Sequence, residues 1–190
     1  MIHTRHAALM VLAAATLGLC ACADFPGTTN NSAVTFTQSG YSAADALIQQ
    51  ARGSLTPDTI IKAGVLTDIN NPAAVSTLGR VLTAQVGARF VQMGYNVGSA
   101  SFDETMALRQ QSSQSSPYGS NRSANGGPTS GPVLIAGQYA MAHKSVLVGL
   151  RLIDIPTGRV LSAYDYDLPM TSDVRELAKT KIPPNAVIGF

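Results

Sequence analysis

Residues 133–168 read VLIAGQYAMAHKSVLVGLRLIDIPTGRVLSAYDYDL, and this stretch decides the fold. Three runs rich in β-branched and apolar residues, Val133 to Met141, Ser145 to Ile155 and Arg159 to Leu168, are separated only by Ala142-His143-Lys144 and Pro156-Thr157-Gly158. Connections this short join antiparallel neighbours, so the stretch predicts a three-stranded meander. In the third strand Asp165 and Asp167 alternate with Tyr164 and Tyr166, the pattern of a strand with one wet and one packed face. Arg151 stands among Leu150, Leu152 and Ile153 and shares a face with Asp165 across the turn. A cross-strand ion pair accounts for it; a ligand or partner carboxylate is the other use for such a group.

Upstream, helical and strand signals alternate. Ser42 to Arg52 (SAADALIQQAR) opens on an N-cap and carries Ala43, Leu47, Ile48 and Ala51 at helical spacing, closed by Gly53. Thr59 to Ile69 (TIIKAGVLTDI) predicts a buried strand stopped by Asn70-Asn71-Pro72. Val75, Leu78, Leu82, Val86, Phe90 and Met93 then recur every three or four residues, predicting a long amphipathic helix that ends at Gly94. Tyr95 to Ala100 reads as a short strand and Phe102 to Gln111 as a helix capped by Ser101. Past the meander, Ser172 to Lys179 predicts a brief helix before Pro183-Pro184. The order gives an α+β fold: a mixed sheet with a C-terminal three-stranded antiparallel meander and helices packed on one face, a two-layer sandwich.

The 190 residues fit one domain of ordinary size. Only 13% are charged, against roughly 25% in a typical soluble domain, which argues against a cytosolic setting. The net charge of +2 supplies no field to collect nucleic acid, so that partner class is not expected. His3, Arg5 and His6 precede an apolar run from Ala7 to Leu19, a signal-peptide pattern too short to span a bilayer as a helix, which takes about 20 residues. The expected layout is a signal over 1–21, a flexible Gly/Thr/Asn/Ser tether over 22–41, a folded domain over 42–182, and a tail over 183–190. Within the domain, 112–131 (SSQSSPYGSNRSANGGPTSG) is too polar to bury anything and predicts a disordered loop. Some twenty tether residues, fully stretched, would reach about 65–70 Å.

Leu19-Cys20-Ala21-Cys22 resembles the bacterial lipobox, with Leu three residues before Cys22 and a small residue directly before it. The resemblance implies that Cys22 is the lipid attachment site; Cys20, preceded by Leu19, fits less well. Ala23 after the cysteine implies sorting to the outer membrane. Several acyl chains, each buried methylene contributing about 0.8 kcal/mol, would hold the protein firmly. No cysteine lies beyond Cys22, so a chain starting there is expected to have neither disulfide nor thiol nucleophile.

Chemistry is otherwise sparse. His143, the one histidine past the signal, falls in a predicted turn beside Lys144, and no G-x-S-x-G elbow or phosphate-binding G-x-x-x-x-G-K-[ST] loop is present. Asp103 and Glu104 fit the first turn of a helix, where negative charge offsets the dipole. Neither catalytic residues, a metal site nor a cofactor is expected. Candidate partner-facing residues are Arg80 and Arg89, off the apolar stripe of the long helix, together with Arg151 and the loop after Gln111.

Two stretches resemble the FlgO-like family of bacterial outer-membrane lipoproteins associated with flagellar motility. One runs from Tyr41 to Val97, with ADALIQQ, GVLTDI and STLGRVLTAQVGARFVQMGYNV; the other is the segment from Leu134 to Leu168. Each alone is also similar to a wider group of periplasmic domains related to curli-secretion and penicillin-binding-protein activator lipoproteins. The resemblance implies a non-enzymatic outer-membrane protein, with flagellar ring components as partners. A lipid-tethered regulator of peptidoglycan synthesis is the other expectation.

Overall fold

The computed structural model describes residues 31–114, 127–129, 131–179 and 181–182. The signal, Cys22, residues 22–30, the centre of the polar loop and the tail lie outside the described residues. The chain runs α1 (Asn31–Gln50), β1 (Ile60–Ala63), β2 (Thr67–Asp68), β3 (Val75–Ser76), α2 (Thr77–Gln92), β4 (Asn96–Ser99) and α3 (Phe102–Gln114). The meander follows as β5 (Val133–Met141), β6 (Ser145–Asp154) and β7 (Val160–Pro169), then α4 (Ser172–Lys179) and β8 (Lys181–Ile182).

The main sheet has the order β4-β1-β5-β6-β7, with β2 also paired to β5. β1 runs parallel to β4 and β5, whereas β5, β6 and β7 pair antiparallel through the two predicted turns. The sheet is therefore mixed, with the meander at its C-terminal end, as expected. Gly158 turns the β6–β7 corner at φ +69, a left-handed conformation that favours glycine.

The predicted strand Thr59 to Ile69 is interrupted. Ala63 pairs with Ile135 and Thr67 with Gln138, so four steps on one strand oppose three on the other, and β1 and β2 are one strand broken by a bulge. Gly64 lies at the break because a side chain there would meet Thr105 Cγ2 and Oγ1 at 2.7 Å. The bulge turns Val65 and Leu66 into the core, 4% and 0% exposed.

The principal core fills the space between one sheet face and α1, α2 and α4. Leu47, Leu78, Leu82, Val86 and Phe90 meet Val133, Ile135, Val148, Leu150 and Leu152 there, with Val174 of α4. The long predicted helix is α2. It starts two residues later than its apolar stripe, because Ser76 is the N-cap and accepts the Gly79 N–H at 3.0 Å. Val75, the first stripe residue, belongs to β3, and Met93, the last, is 48% exposed. At its end the Tyr95 N–H reaches the Phe90 carbonyl and the Gly94 N–H that of Val91, with Gly94 at φ +91. This is a Schellman closure, and the Phe90 and Tyr95 rings, 5.7 Å apart, supply its apolar contact.

The α+β mixed-sheet fold is as expected; one boundary needs correction and one helix placement is an addition. Helix α1 begins at Asn31, not Ser42, so 31–41 of the expected tether are helical. Thr35, Thr37, Ser39 and Gly40 are poor helix formers, but Phe36 packs on the core and Gly40 lets α1 approach Gln85 of α2. Packing thus overrides propensity. Second, α3 lies against the opposite sheet face from the other helices. Its Leu108 joins Ala100, Leu134, Ala136 and Ile153 in a smaller cluster, and Lys62 of β1 pairs with Glu104 at 2.7 Å. Residues 112–114, read as part of the polar loop, continue this helix.

Candidate functional site

Because residues alternate along a strand, the face of the meander turned from the principal core carries Ala136, Gln138 and Ala140 from β5. Leu147, Gly149, Arg151 and Ile153 of β6 and Asp165 and Asp167 of β7 share that face. Helix α3 covers its β5 side and Ile153 near the end of β6. What remains is an open groove of about 470 Å³, walled by Ile69 and Arg109 on one side and by the two aspartates on the other.

The floor is low. Ala136 and Ala140 are small, and Gly149 stands directly opposite Asp165. A methyl group at Gly149 would lie 2.9 Å from Asp165 Oδ1, so the glycine leaves space for that carboxylate above the strand. Tyr164 and Tyr166 point to the other face and pack on the core, their rings stacked at 6.3 Å, as the alternation predicts. The Tyr166 hydroxyl is buried with no hydrogen-bond partner among the described residues, and burial raises its pKa above the ordinary value.

Arg109 is the cation that sequence reasoning passed over. Its Nη1 donates to Thr67 Oγ1 at 2.6 Å, holding the side chain at the groove wall. Burial, and secondarily the charge of Arg151, lower its pKa from the usual guanidinium value. Its role follows from α3 lying on the outer face, which the sequence order does not reveal.

The expected ion pair between Arg151 and Asp165 is not formed among the described residues. The register puts Arg151 opposite Ala163 and Asp165 opposite Gly149, so the two are diagonal neighbours rather than a direct pair. Arg151, Asp165 and Asp167 are all exposed and line the same groove.

The other candidates fall elsewhere. Arg89 is held within the chain: its Nε and Nη2 donate to the Asp45 carboxylate at 2.8 and 2.9 Å, and its guanidinium sits 5.8 Å from the Tyr41 ring centroid. The bond to Asp45 raises its pKa. It joins α2 to α1 rather than being offered to a partner. Arg80 is half-buried on α2, away from the groove. Glu104 N–H is capped by Ser101 Oγ at 3.1 Å, and Asp103 is exposed in the same first turn of α3. His143 is exposed in the β5–β6 turn. Among the described residues no three His, Cys, Asp or Glu side chains gather as a metal cluster, and no helix is long and apolar enough to cross a membrane.

Among solved structures, the LpoB C-terminal domain from Salmonella enterica overlaps 71% of this chain and 98% of its own, at 12% identity and a TM-score of 0.42. The LpoB C-terminal domain from Escherichia coli follows at 11% identity, 67% and 96% coverage and a TM-score of 0.39. Lipoprotein GNA1162 from Neisseria meningitidis gives 12%, 62% and 84%, and 0.33. No curated protein matches the chain. The family model described as FlgO protein matches residues 41–173, from the middle of α1 through the meander to the start of α4, and the chain belongs to the FlgO family.

Proposed function

We propose that this protein is a non-enzymatic, lipid-anchored outer-membrane protein that supports flagellar assembly and stability, and through them motility. The FlgO match over 41–173 carries the reading, because it spans the sheet and the helices that pack on it. That membership, together with the lipobox ending at Cys22, supports a lipoprotein of the cell envelope.

The start of α1 at Asn31 bears on where the domain works. Nine residues from Cys22 to Asn31, fully extended, span at most about 30 Å, less than half the reach expected of a tether running to Tyr41. A short reach favours a partner close to the anchoring membrane, such as a ring component there, over a target across the cell wall.

The test is co-purification of the native protein with detergent-extracted basal bodies from its own host, beside a Cys22→Ser form. The expected result is enrichment that depends on Cys22, with loss of swimming in a deletion strain. Normal swimming with normal filaments, or a protein held in the outer membrane yet absent from basal bodies, would overturn the flagellar role. The second outcome would leave the wall-synthesis regulator as the surviving expectation.

A further inference from the structure

The main sheet ends on two unequal edges. β4 is four residues long and runs parallel to β1, whereas β7 is a ten-residue strand with antiparallel β6 on one side only. A short edge offers little to pair with; a long one is a template for a further strand. Which β7 groups are on offer follows from the hydrogen bonds at its ends. The Met170 N–H donates to the Lys144 carbonyl at 2.9 Å and the Asp154 N–H to the Arg159 carbonyl at 2.8 Å, so the even-numbered residues of β6 turn their backbone groups toward β7. Through the register, Tyr164, Tyr166 and Leu168 turn theirs back to β6, and Ala163, Asp165 and Asp167 turn N–H and C=O off the sheet. Those outward groups have no partner among the described residues. The row is bounded at both ends. Leu161 stands opposite no residue of β6 and forms a bulge, and Pro169, next in the outward series, has no N–H and gives its carbonyl to the Thr171 N–H at 2.9 Å.

We propose that the β7 edge docks an extended segment of a partner protein that carries lysine or arginine at alternate positions and continues the antiparallel meander. The side chains of Ala163, Asp165 and Asp167 share the outer face and are exposed, and a residue bonded opposite each of them lies on that same face. Arg151 is the one cation of β6 and lies within diagonal reach of Asp165. Asp167 stands opposite Leu147, with Ser145 and Gly149 as its diagonals, so β6 leaves one negative charge uncompensated even with Arg151 turned to Asp165. Cations two residues apart on an added strand meet both carboxylates. A second copy of the chain is the wrong occupant: pairing two β7 edges gathers the aspartates of both on one face, and like charges across strands destabilise. On the other face, the residues between the cations meet Tyr164 and Tyr166, half-buried and stacked at 6.3 Å, which suits apolar side chains there. This docking is independent of the flagellar role, being read on the purified protein.

The probe is an end-capped peptide, Thr-Lys-Val-Lys-Val-Lys-Thr, compared with one carrying glutamine for lysine and one methylated at the lysine backbone nitrogens. The protein is the chain from residue 22 onward with Cys22→Ser, followed by amide hydrogen exchange and chemical shifts. Without peptide, the amides of Ala163, Asp165 and Asp167 should exchange fast and those of Tyr164, Tyr166 and Leu168 slowly. The lysine peptide should slow the first three about tenfold at nine-tenths saturation. It should bind about fivefold tighter than the glutamine peptide, the scale of two cross-strand charge pairs. Asp165→Asn with Asp167→Asn should erase that fivefold and leave the glutamine peptide's affinity unchanged; both positions are exposed, and an unchanged far-ultraviolet circular dichroism spectrum confirms that the variant folds. The methylated peptide should protect none of the three amides. No protection by the lysine peptide at several millimolar, equal affinity of the lysine and glutamine peptides, or protection by the methylated one would overturn the inference. So would slow exchange at the three amides without peptide, which assigns the edge to a second copy if it grows with protein concentration and to the chain's own residues if it does not.

Discussion

Replacing Gly79 with alanine tests whether the contact between α2 and the β1–β2 bulge is as tight as the structure requires. On an exposed helix the change would stabilise by up to about 1 kcal/mol, because alanine is the better helix former. Here a methyl group at position 79 would sit 2.0 Å from the Leu66 carbonyl oxygen, where real contacts are not shorter than 3.0 Å. Helix and bulge must separate by about 1 Å, and the obstacle is backbone rather than a side chain that can rotate. Leu66 has little freedom to yield: its N–H donates to Thr83 Oγ1 at 3.1 Å, and its side chain fills the space above Gly137. Thr83 is itself fully buried, its hydroxyl 2.9 Å from the Gly79 carbonyl and 3.2 Å from that of Gly64. Overpacking costs about 1–3 kcal/mol, and more where backbone must move. Straining the Thr83 bonds adds about 1 kcal/mol. Set against the propensity gain, the net is a loss of about 1–3 kcal/mol, a fall in Tm of about 2–12 °C at the 2–4 °C per kcal/mol of a domain this size. Differential scanning calorimetry would read it, with Gly98→Ala as the control, since Gly98 faces open space on edge strand β4. A Gly79→Ala protein melting at or above the parent temperature would refute the reasoning.

Phe90→Ala removes the largest fully buried side chain and also the apolar half of the Schellman closure, and urea unfolding should show a loss of about 3–5 kcal/mol. Ser76→Ala deletes the α2 N-cap and leaves the buried Tyr139 hydroxyl, now 2.6 Å from Ser76 Oγ, without that partner; about 2 kcal/mol should be lost, and Tyr139→Phe in the same background should recover part of it. Tyr166→Phe removes a buried hydroxyl that pairs with nothing among the described residues, so the urea midpoint at neutral pH should hold or rise. The same residue sets an alkaline limit. Because its folded pKa is raised above the unfolded value of about 10, its contribution is fully present below pH 10 and is lost as the unfolded chain ionises above it. Stability should therefore fall above pH 10 by up to about 1.4 kcal/mol per pH unit for each such tyrosine, and Tyr166→Phe should flatten that slope; Tyr139, also raised by burial, keeps a remainder.

The meander was legible because its signals are local: three runs of strand length, two short turns, and an Asp/Tyr alternation that the packing reproduces. Helix α2 was equally plain from Leu78, Leu82, Val86 and Phe90, all fully buried. The parts that were not legible depend on long-range contacts. The first half of α1 carries Thr, Ser and Gly and looks like a tether until Gln85 of a distant helix gives it something to pack against. A longer window would have found Phe36, Gly40, Ala43, Leu47 and Ala51 at spacings of three and four. The bulge at Gly64 answers to Thr105, some forty residues away in sequence, and no strand propensity encodes it. The groove was half seen. Arg151, Asp165 and Asp167 share the face assigned to them, but Arg109 entered only through the side of the sheet that α3 takes.

That side is the choice on which the open face depends. Had α3 joined the other helices, the outer face of β5 would be bare and Leu134, Ala136 and Ile153 would lie in water. With α3 where it is, Leu108 covers those three, and Arg109, the next residue, is carried to the groove wall. One helix thus buries the second apolar cluster and supplies a cation from adjacent positions. The short reach from Cys22 to Asn31 would hold α1 near an anchoring membrane, and α1 packs on the opposite sheet face from the groove. A lipid anchor at Cys22 would therefore attach on the side of the sheet away from the groove and leave the meander's outer face accessible, while the helical face is occupied by the domain's own core.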